Sequence, residues 1–159
     1  MSYLAERREE EKERRRLDII EAAERLYASS GWDGLTMDQL AREARLSRAL
    51  LYVYFKDRAE LHLAIVARAF ELLQQRFREA AGRAALGLDK VQAIGRAYVA
   101  FSHEFPHYFD ACARFQAAQH QADGSSVLQE CAAAGDAAIA EVVAALEIGR
   151  ADGSVRPDL

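Results

Sequence analysis

Residues 35–61 read LTMDQLAREARLSRALLYVYFKDRAEL, and three helix starts lie within this stretch. Thr36 followed by Gln39 is a capping box: the threonine hydroxyl accepts from the backbone three residues on, and the glutamine reaches back. Leu35 before the cap and Leu40 at the fourth helical position form a hydrophobic staple. These signals predict a helix from Met37 to about Ala44. Ser47 is a second N-cap, stapled by Leu46 and Leu51, and starts a helix from Arg48 to about Tyr54. Asp57 with Glu60 is a third capping box and opens a long helix. Two short helices joined by a three-residue turn and buttressed by a longer one make a helix-turn-helix.

The second short helix has an unusual outer face. With Leu51 and Phe55 turned to a core, Ala49 and Val53 point almost directly away, flanked by Leu50 and Tyr52. A one-sided surface helix carries charge there. Small and apolar residues beside Arg48 suggest a binding surface instead. In a DNA major groove, Ala, Val and Leu side chains contact thymine methyls, and Arg48 reaches a guanine or a phosphate. Tyr54, Lys56 and Arg58 lie just beyond, suitably placed for phosphates. The competing reading is that Leu50, Tyr52 and Val53 pack against another part of the same chain.

Outward from this stretch, the whole sequence reads as helices. Upstream, Ile20, Ala23, Leu26 and Tyr27 recur at helical spacing, so a first helix runs from about Leu17 to Ser29-Ser30-Gly31, where Gly31 takes a left-handed cap. Residues 6–16 are all charged, with both signs mixed. Glu10/Arg14 and Glu11/Arg15 have the favourable i,i+4 order, so this is a helical extension with a solvated face or an arm that touches phosphates. Downstream, the fourth helix carries Leu61, Ile65, Val66, Leu72, Leu73 and Phe77. Gly82 to Gly87 is a loop. A fifth helix runs from about Leu88 to Glu104, Pro106 begins a sixth that reaches about His120, and Asp123-Gly124-Ser125 is a break. A seventh runs from about Ser126 to Gly149 and leaves a turn-like tail, Ala151 to Leu159. The chain has only two prolines, Pro106 and Pro157, and no alternating strand pattern. The expected fold is therefore all-α: a three-helix helix-turn-helix DNA-binding domain over residues 1–60, followed by an antiparallel helical sensor domain over residues 61–159.

Composition narrows the function classes. Apolar residues make up 51% and charged residues 29% of the chain, a globular balance. No apolar run approaches the ~20 residues that span a bilayer, and the charged N-terminus lacks the apolar stretch of a secretory signal. The expectation is a cytoplasmic protein with no membrane partner, and Cys112 and Cys131 as free thiols. Net charge is −4, yet residues 36–58 hold five basic against three acidic side chains, a net of +2. Residues 71–159 hold eight basic against twelve acidic. A small basic patch on an acidic body suits a DNA footprint at one end. No phosphate loop, nucleophile motif or recognisable carboxylate pair points to an enzyme. His103 and His107 lack zinc-helix spacing because Pro106 interrupts the helix between them, so no metal is expected, and no cofactor. A redox role for Cys112 and Cys131 lacks a basic neighbourhood beyond Arg114.

The stretch Leu35 to Leu61 closely resembles the signature of TetR-family repressors: a threonine, a short helix, a serine cap, a helix ending Leu-Tyr-x-Tyr-Phe, then a basic pair. Upstream, IEAAERLY over residues 20–27 and GWDGLT over residues 31–36 extend the resemblance to about the first third of the chain. The resemblance implies phosphate contacts from Thr36 and Tyr54, with Ser47 capping the recognition helix and reaching a phosphate. It implies that Arg48, Ala49, Leu50, Tyr52 and Val53 face bases and sugars, and that Arg58 takes the place of a phosphate-contacting lysine, with Lys56 nearby. Arg45 stands where the family has a turn glycine. It must bear a left-handed conformation at a cost of about 1 kcal/mol, and it adds a charge beside DNA. Ala49 and Leu50 replace a common Gly-Thr pair. After Gly149 the family continues through two helices that pair across a two-fold axis, and this sequence stops. A homodimer is thus implied by the resemblance, but the usual four-helix interface cannot form from these residues.

The resemblance also implies a small-molecule effector bound among Phe70, Phe77, Tyr98, Phe101, Phe105, Phe109 and Phe115. Tyr98, His103, His107, Cys112, Arg114 and Gln116 are the polar candidates. An apolar or aromatic effector with one polar contact is the expectation, its binding lowering affinity for a double-stranded DNA operator. The alternative function is a truncated regulator that acts as a protein-interaction module without independent DNA binding.

Overall fold

The computed structural model describes residues 3–118 and 126–158. The expected break at Asp123-Gly124-Ser125, the expected helix end at His120 and the side chain of Gln116 lie outside the described residues. Every regular element among the described residues is a helix: α1 (Tyr3–Gly34), α2 (Met37–Glu43), α3 (Arg48–Tyr54), α4 (Arg58–Gly82), α5 (Gly87–Glu104), α6 (Pro106–Ala118) and α7 (Ser126–Asp152). The chain divides into two compact units, one up to Ile65 and one from Val66, and the division falls inside α4.

The first unit assembles from local signals. The charged stretch 6–16 is helical, exposed up to Arg14 and half-buried at Arg15 and Arg16, and continuous with the amphipathic part of α1. Its ion pairs sit three residues apart, Glu9 with Lys12 at 3.4 Å and Glu11 with Arg14 at 3.0 Å; i,i+3 partners share a helix face just as i,i+4 partners do. Gly31 breaks α1 with φ 72° and ψ 167°. The positive φ was expected, but the extended ψ places it in a region that only glycine adopts readily. Thr36 and Gln39 form the capping box as read, with the Gln39 amide donating to Thr36 Oγ1 at 3.2 Å and the Thr36 amide to Gln39 Oε1 at 3.0 Å. Ser47 Oγ accepts from the Leu50 amide at 3.2 Å. At the end of α2, the Leu46 amide donates to the Ala41 carbonyl and Arg45 to Arg42, a Schellman closure. Arg45 carries that closure at φ 56°, as the missing glycine requires. The third box is shifted: Asp57 Oδ1 accepts from the Glu60 amide, but Glu60 reaches back one residue further, to the Lys56 amide at 2.7 Å. The core gathers Ile19, Ile20 and Tyr27 from α1, Leu35 and Leu40, Leu51 and Phe55 around α3, and Leu61 and Ile65 from α4, all buried.

The second unit is an antiparallel helical group in which α5 packs on α7 and α6. Val66, Ala69, Leu73 and Phe77 of α4 are buried with Ile94, Phe101, Tyr108, Ala111, Phe115, Cys131, Ala138 and Ala145. The N-terminus of α5 has no side-chain cap of its own, because Leu86 occupies the N-cap. The far end of α7 supplies one. Asp152 Oδ2 accepts from the Gly87 amide at 2.8 Å, and Ser154 Oγ from the Leu88 amide at 3.0 Å. The Ser154 hydroxyl, then the backbone amides of Gly87 and Ser154, hold the Asp152 carboxyl below its ordinary value of 3.8. A carboxyl held down in the folded state stabilises above its ordinary pKa, and that contribution fades as pH falls through the lower folded value. Asp152→Asn is therefore expected to melt earlier than wild type at pH 7. The gap should close in strong acid, where both side chains are neutral; a gap of equal size at both pH values, in circular-dichroism melts, would remove the charge from the explanation.

Candidate nucleic-acid interface

On α3 the inner and outer faces separate cleanly. Leu51 and Phe55 are fully buried, and Arg16 lies over the Phe55 ring at 5.2 Å. On the outer side Val53 is 75% exposed, Leu50 and Tyr52 are each 40% exposed, and Arg48 and Ala49 are exposed as well. Within its own unit, α3 thus leaves its apolar outer residues uncovered, against the reading that they pack elsewhere in that unit. Around this face Thr36, Arg45, Ser47 and Lys56 are exposed, and Tyr54 is half-buried. The hydroxyls of Thr36 and Ser47 already serve as helix caps, so their placement is rigid.

Arg48 sits in a small polar cluster. Its Nη1 is 3.0 Å from Asp38 Oδ1, and its guanidinium lies 5.7 Å from the Tyr52 ring centre. A hydrogen bond to Tyr52, and next the charge of Asp38, raise the Arg48 pKa above its ordinary value, so the group stays cationic. Sequence reading did not single out Asp38. The available signal was its position in the first turn of α2, with an arginine opening the neighbouring helix of the same motif.

Arg58 is placed differently from the other basic residues. It is half-buried, its guanidinium lies 4.5 Å from the Trp32 ring centre, and its Nη2 donates to the Trp32 carbonyl. Trp32 also packs edge-on against Tyr27 at 5.4 Å and against His62 at 4.7 Å. Arg58 thereby ties the start of α4 to the end of α1. The charge of Lys56, by contrast, is on the surface.

In the second unit, the expected effector residues fall into three sets. Phe77, Tyr98 and Phe109 form a run, with ring centres 6.3 and 5.7 Å apart, and Tyr98 and Phe109 are partly open at 45% and 37% exposure. Phe101, Phe105, Tyr108 and His107 form a second cluster, with Arg76 over Phe105 at 5.5 Å. Phe70 meets Phe115 edge-on at 6.0 Å. His103 is exposed, and burial lowers the His107 pKa. Cys112 and Cys131 are free thiols, both pushed up to about 12, chiefly by burial, so neither is a thiolate at neutral pH. Among the described residues, no three His, Cys, Asp or Glu side chains are grouped to hold a metal ion, and no helix is long and apolar enough to cross a membrane.

Residues 19–65 match the family model for bacterial regulatory proteins of the tetR family. The fold is similar to that of a protein of unknown function from Rhodococcus sp. RHA1, with a TM-score of 0.75 and 26% identity over 90% of this chain and 71% of that one. It is similar to the TetR-family transcriptional regulator PfmR from Thermus thermophilus, with a TM-score of 0.66 and 21% identity over 87% of this chain and 73% of that one. It is also similar to AibR, solved in complex with isovaleryl coenzyme A and operator DNA, with a TM-score of 0.64 and 19% identity over 90% of this chain and 76% of that one.

Proposed function

We propose, for a chain whose residues 19–65 match the family model for bacterial regulatory proteins of the tetR family, that it is a sequence-specific transcriptional repressor released from operator DNA by a small apolar effector. The observation that carries this reading is the outer face of α3, where Leu50, Tyr52 and Val53 stand exposed beside a cationic Arg48. Apolar groups on a short helix gain nothing from water, whereas thymine methyls and base edges in a major groove complement them. In this reading Arg48, Ala49, Leu50, Tyr52 and Val53 meet bases and sugars. Thr36, Ser47, Tyr54 and Lys56 meet phosphates, and Arg45 adds charge beside them. Arg58 holds the start of α4 against Trp32. Two copies act on one operator, with recognition helices about one DNA turn (~34–36 Å) apart, in the cytoplasm.

The effector binds in the second unit beside the Phe77, Tyr98 and Phe109 run, with Phe70, Phe101, Phe105, His107, Cys112 and Phe115 as further candidates. The isovaleryl coenzyme A complex of AibR supports an acyl chain as the effector class. Its binding selects a conformer of lower DNA affinity, and α4, which begins in one unit and ends in the other, is the element through which the change passes.

Light scattering on the protein alone and with duplex from its own upstream region tests this reading. A dimer on one duplex is the expected result. A protein that ignores every duplex would leave α3 as a surface for a protein partner. Binding should weaken steeply with salt, and Lys56→Ala should weaken it across all sequences and flatten the salt slope by about one unit. An unchanged slope, read by fluorescence anisotropy over a salt series, would take Lys56 off the phosphates.

A further inference from the structure

Asp38 is the second residue of α2, and Arg48 is the first of α3. Their side chains meet at 3.0 Å while both stay exposed, and the Arg48 guanidinium also lies over Tyr52. An ion pair this open to water contributes little to folding. Its weight falls on what Arg48 can do. An untethered arginine at the edge of a DNA surface samples many rotamers and binds any phosphate as a mobile charge. Held by Asp38 at Nη1 and set 5.7 Å from the Tyr52 ring centre, the guanidinium is biased toward one orientation. It carries five N–H donors, so beside its bonds to Asp38 and Tyr52 donors remain for N7 and O6 of a guanine. The Asp38 carboxylate also repels nearby phosphates, which disfavours the competing use of Arg48 as a backbone contact. Both effects raise discrimination rather than affinity.

We propose that Asp38 is a specificity-determining positioning residue, which holds Arg48 for guanine readout and keeps it from the phosphate backbone. This rests on the reading of α3 as the DNA-recognition helix. It adds an acidic residue, on the preceding helix, to a surface otherwise described by its cations and apolar groups.

The test begins with wild-type protein and a pool of random-sequence duplexes. A selected site is then varied one base pair at a time, and each affinity is measured at fixed salt. Asp38→Asn is expected to bind unselected duplex more tightly, by about threefold to tenfold, because one repulsive charge is gone and Arg48 is freed. Its discrimination for the guanine read by Arg48 should fall about tenfold, with the other positions unchanged. Asp38→Glu, which keeps the carboxylate, should recover part of that loss. In an Arg48→Ala background, Asp38→Asn should change discrimination at that position no further, since it acts only through Arg48. Circular-dichroism melts of the variants should match wild type. If wild type selects a site and Asp38→Asn keeps wild-type discrimination at every base pair, the role of Asp38 is overturned and the regulator reading stands. Loss spread evenly over all positions overturns it too. If wild type selects no site at all, the DNA-binding reading falls and Asp38 falls with it.

Discussion

Gly87→Ala is expected to destabilise the α4–α7 unit by about 3 kcal/mol or more, at the upper end of what overpacking costs. A Cβ at Gly87 would lie 2.0 Å from the amide nitrogen and 2.1 Å from the Cα of Gly149, and 2.8 Å from the Ala145 carbonyl oxygen. All three are backbone atoms, so no side-chain rotation relieves the clash; the start of α5 must move off the end of α7. That movement also pulls the Gly87 and Leu88 amides from Asp152 and Ser154, so the helix loses its cap as well as its packing. Two companions make the result specific. Gly149→Ala meets Val155 Cγ2 at 2.4 Å, a clash with a side chain that has some freedom, and should cost less. Gly95→Ala lies in the same helix with nothing within 4 Å of its Cβ, and should stabilise by about 0.5–1 kcal/mol through helix propensity. Urea unfolding followed by circular dichroism reads all three. Equal stability of Gly87→Ala and Gly95→Ala would mean that α5 and α7 do not approach as described.

The second large effect concerns binding. Arg48→Ala and Tyr52→Ala should each lower affinity for a selected site by about 10- to 100-fold, the range of one good base contact. Affinity for unselected duplex should change only a few-fold. The fold should be indifferent to both, because α3 is anchored by Leu51 and Phe55 on its other face, and neither Arg48 nor Tyr52 belongs to the core. Leu51→Ala is the opposite case: a fully buried leucine, costing about 2–5 kcal/mol of stability. The paired measurements are anisotropy titrations against selected and unselected duplex, with a melt for each variant. A Tyr52→Ala protein that keeps wild-type preference for the selected site would remove Tyr52 from base reading.

Much of the first unit was legible because its determinants lie within four residues of one another. Thr36 with Gln39, Ser47 with Leu50 and Asp57 with Glu60 act within a single turn, so helix starts follow from local chemistry. The shift of Glu60 to the Lys56 amide shows the limit: the residue types set the cap, and side-chain reach decides the partner. Arg45 at positive φ was readable through the family resemblance, which puts a turn glycine at that position. The outer face of α3 followed from helical periodicity alone once Leu51 and Phe55 were assigned inward.

By itself, then, the sequence determined the helices, the helix-turn-helix and the apolar face that α3 exposes, because caps, staples and a 3.6-residue period are local properties of the chain. Only the tertiary structure decided which charged groups face outward. It drew Arg58 inward onto Trp32, 26 residues away, left the charge of Lys56 outside, and set Asp38 against Arg48. It also brought Gly87 against Gly149 and gave α5 a cap from Asp152 and Ser154. Such contacts join residues with no periodic relation in sequence; they arise when separate helices are packed, and the spacing along any one of them carries no trace of the partner.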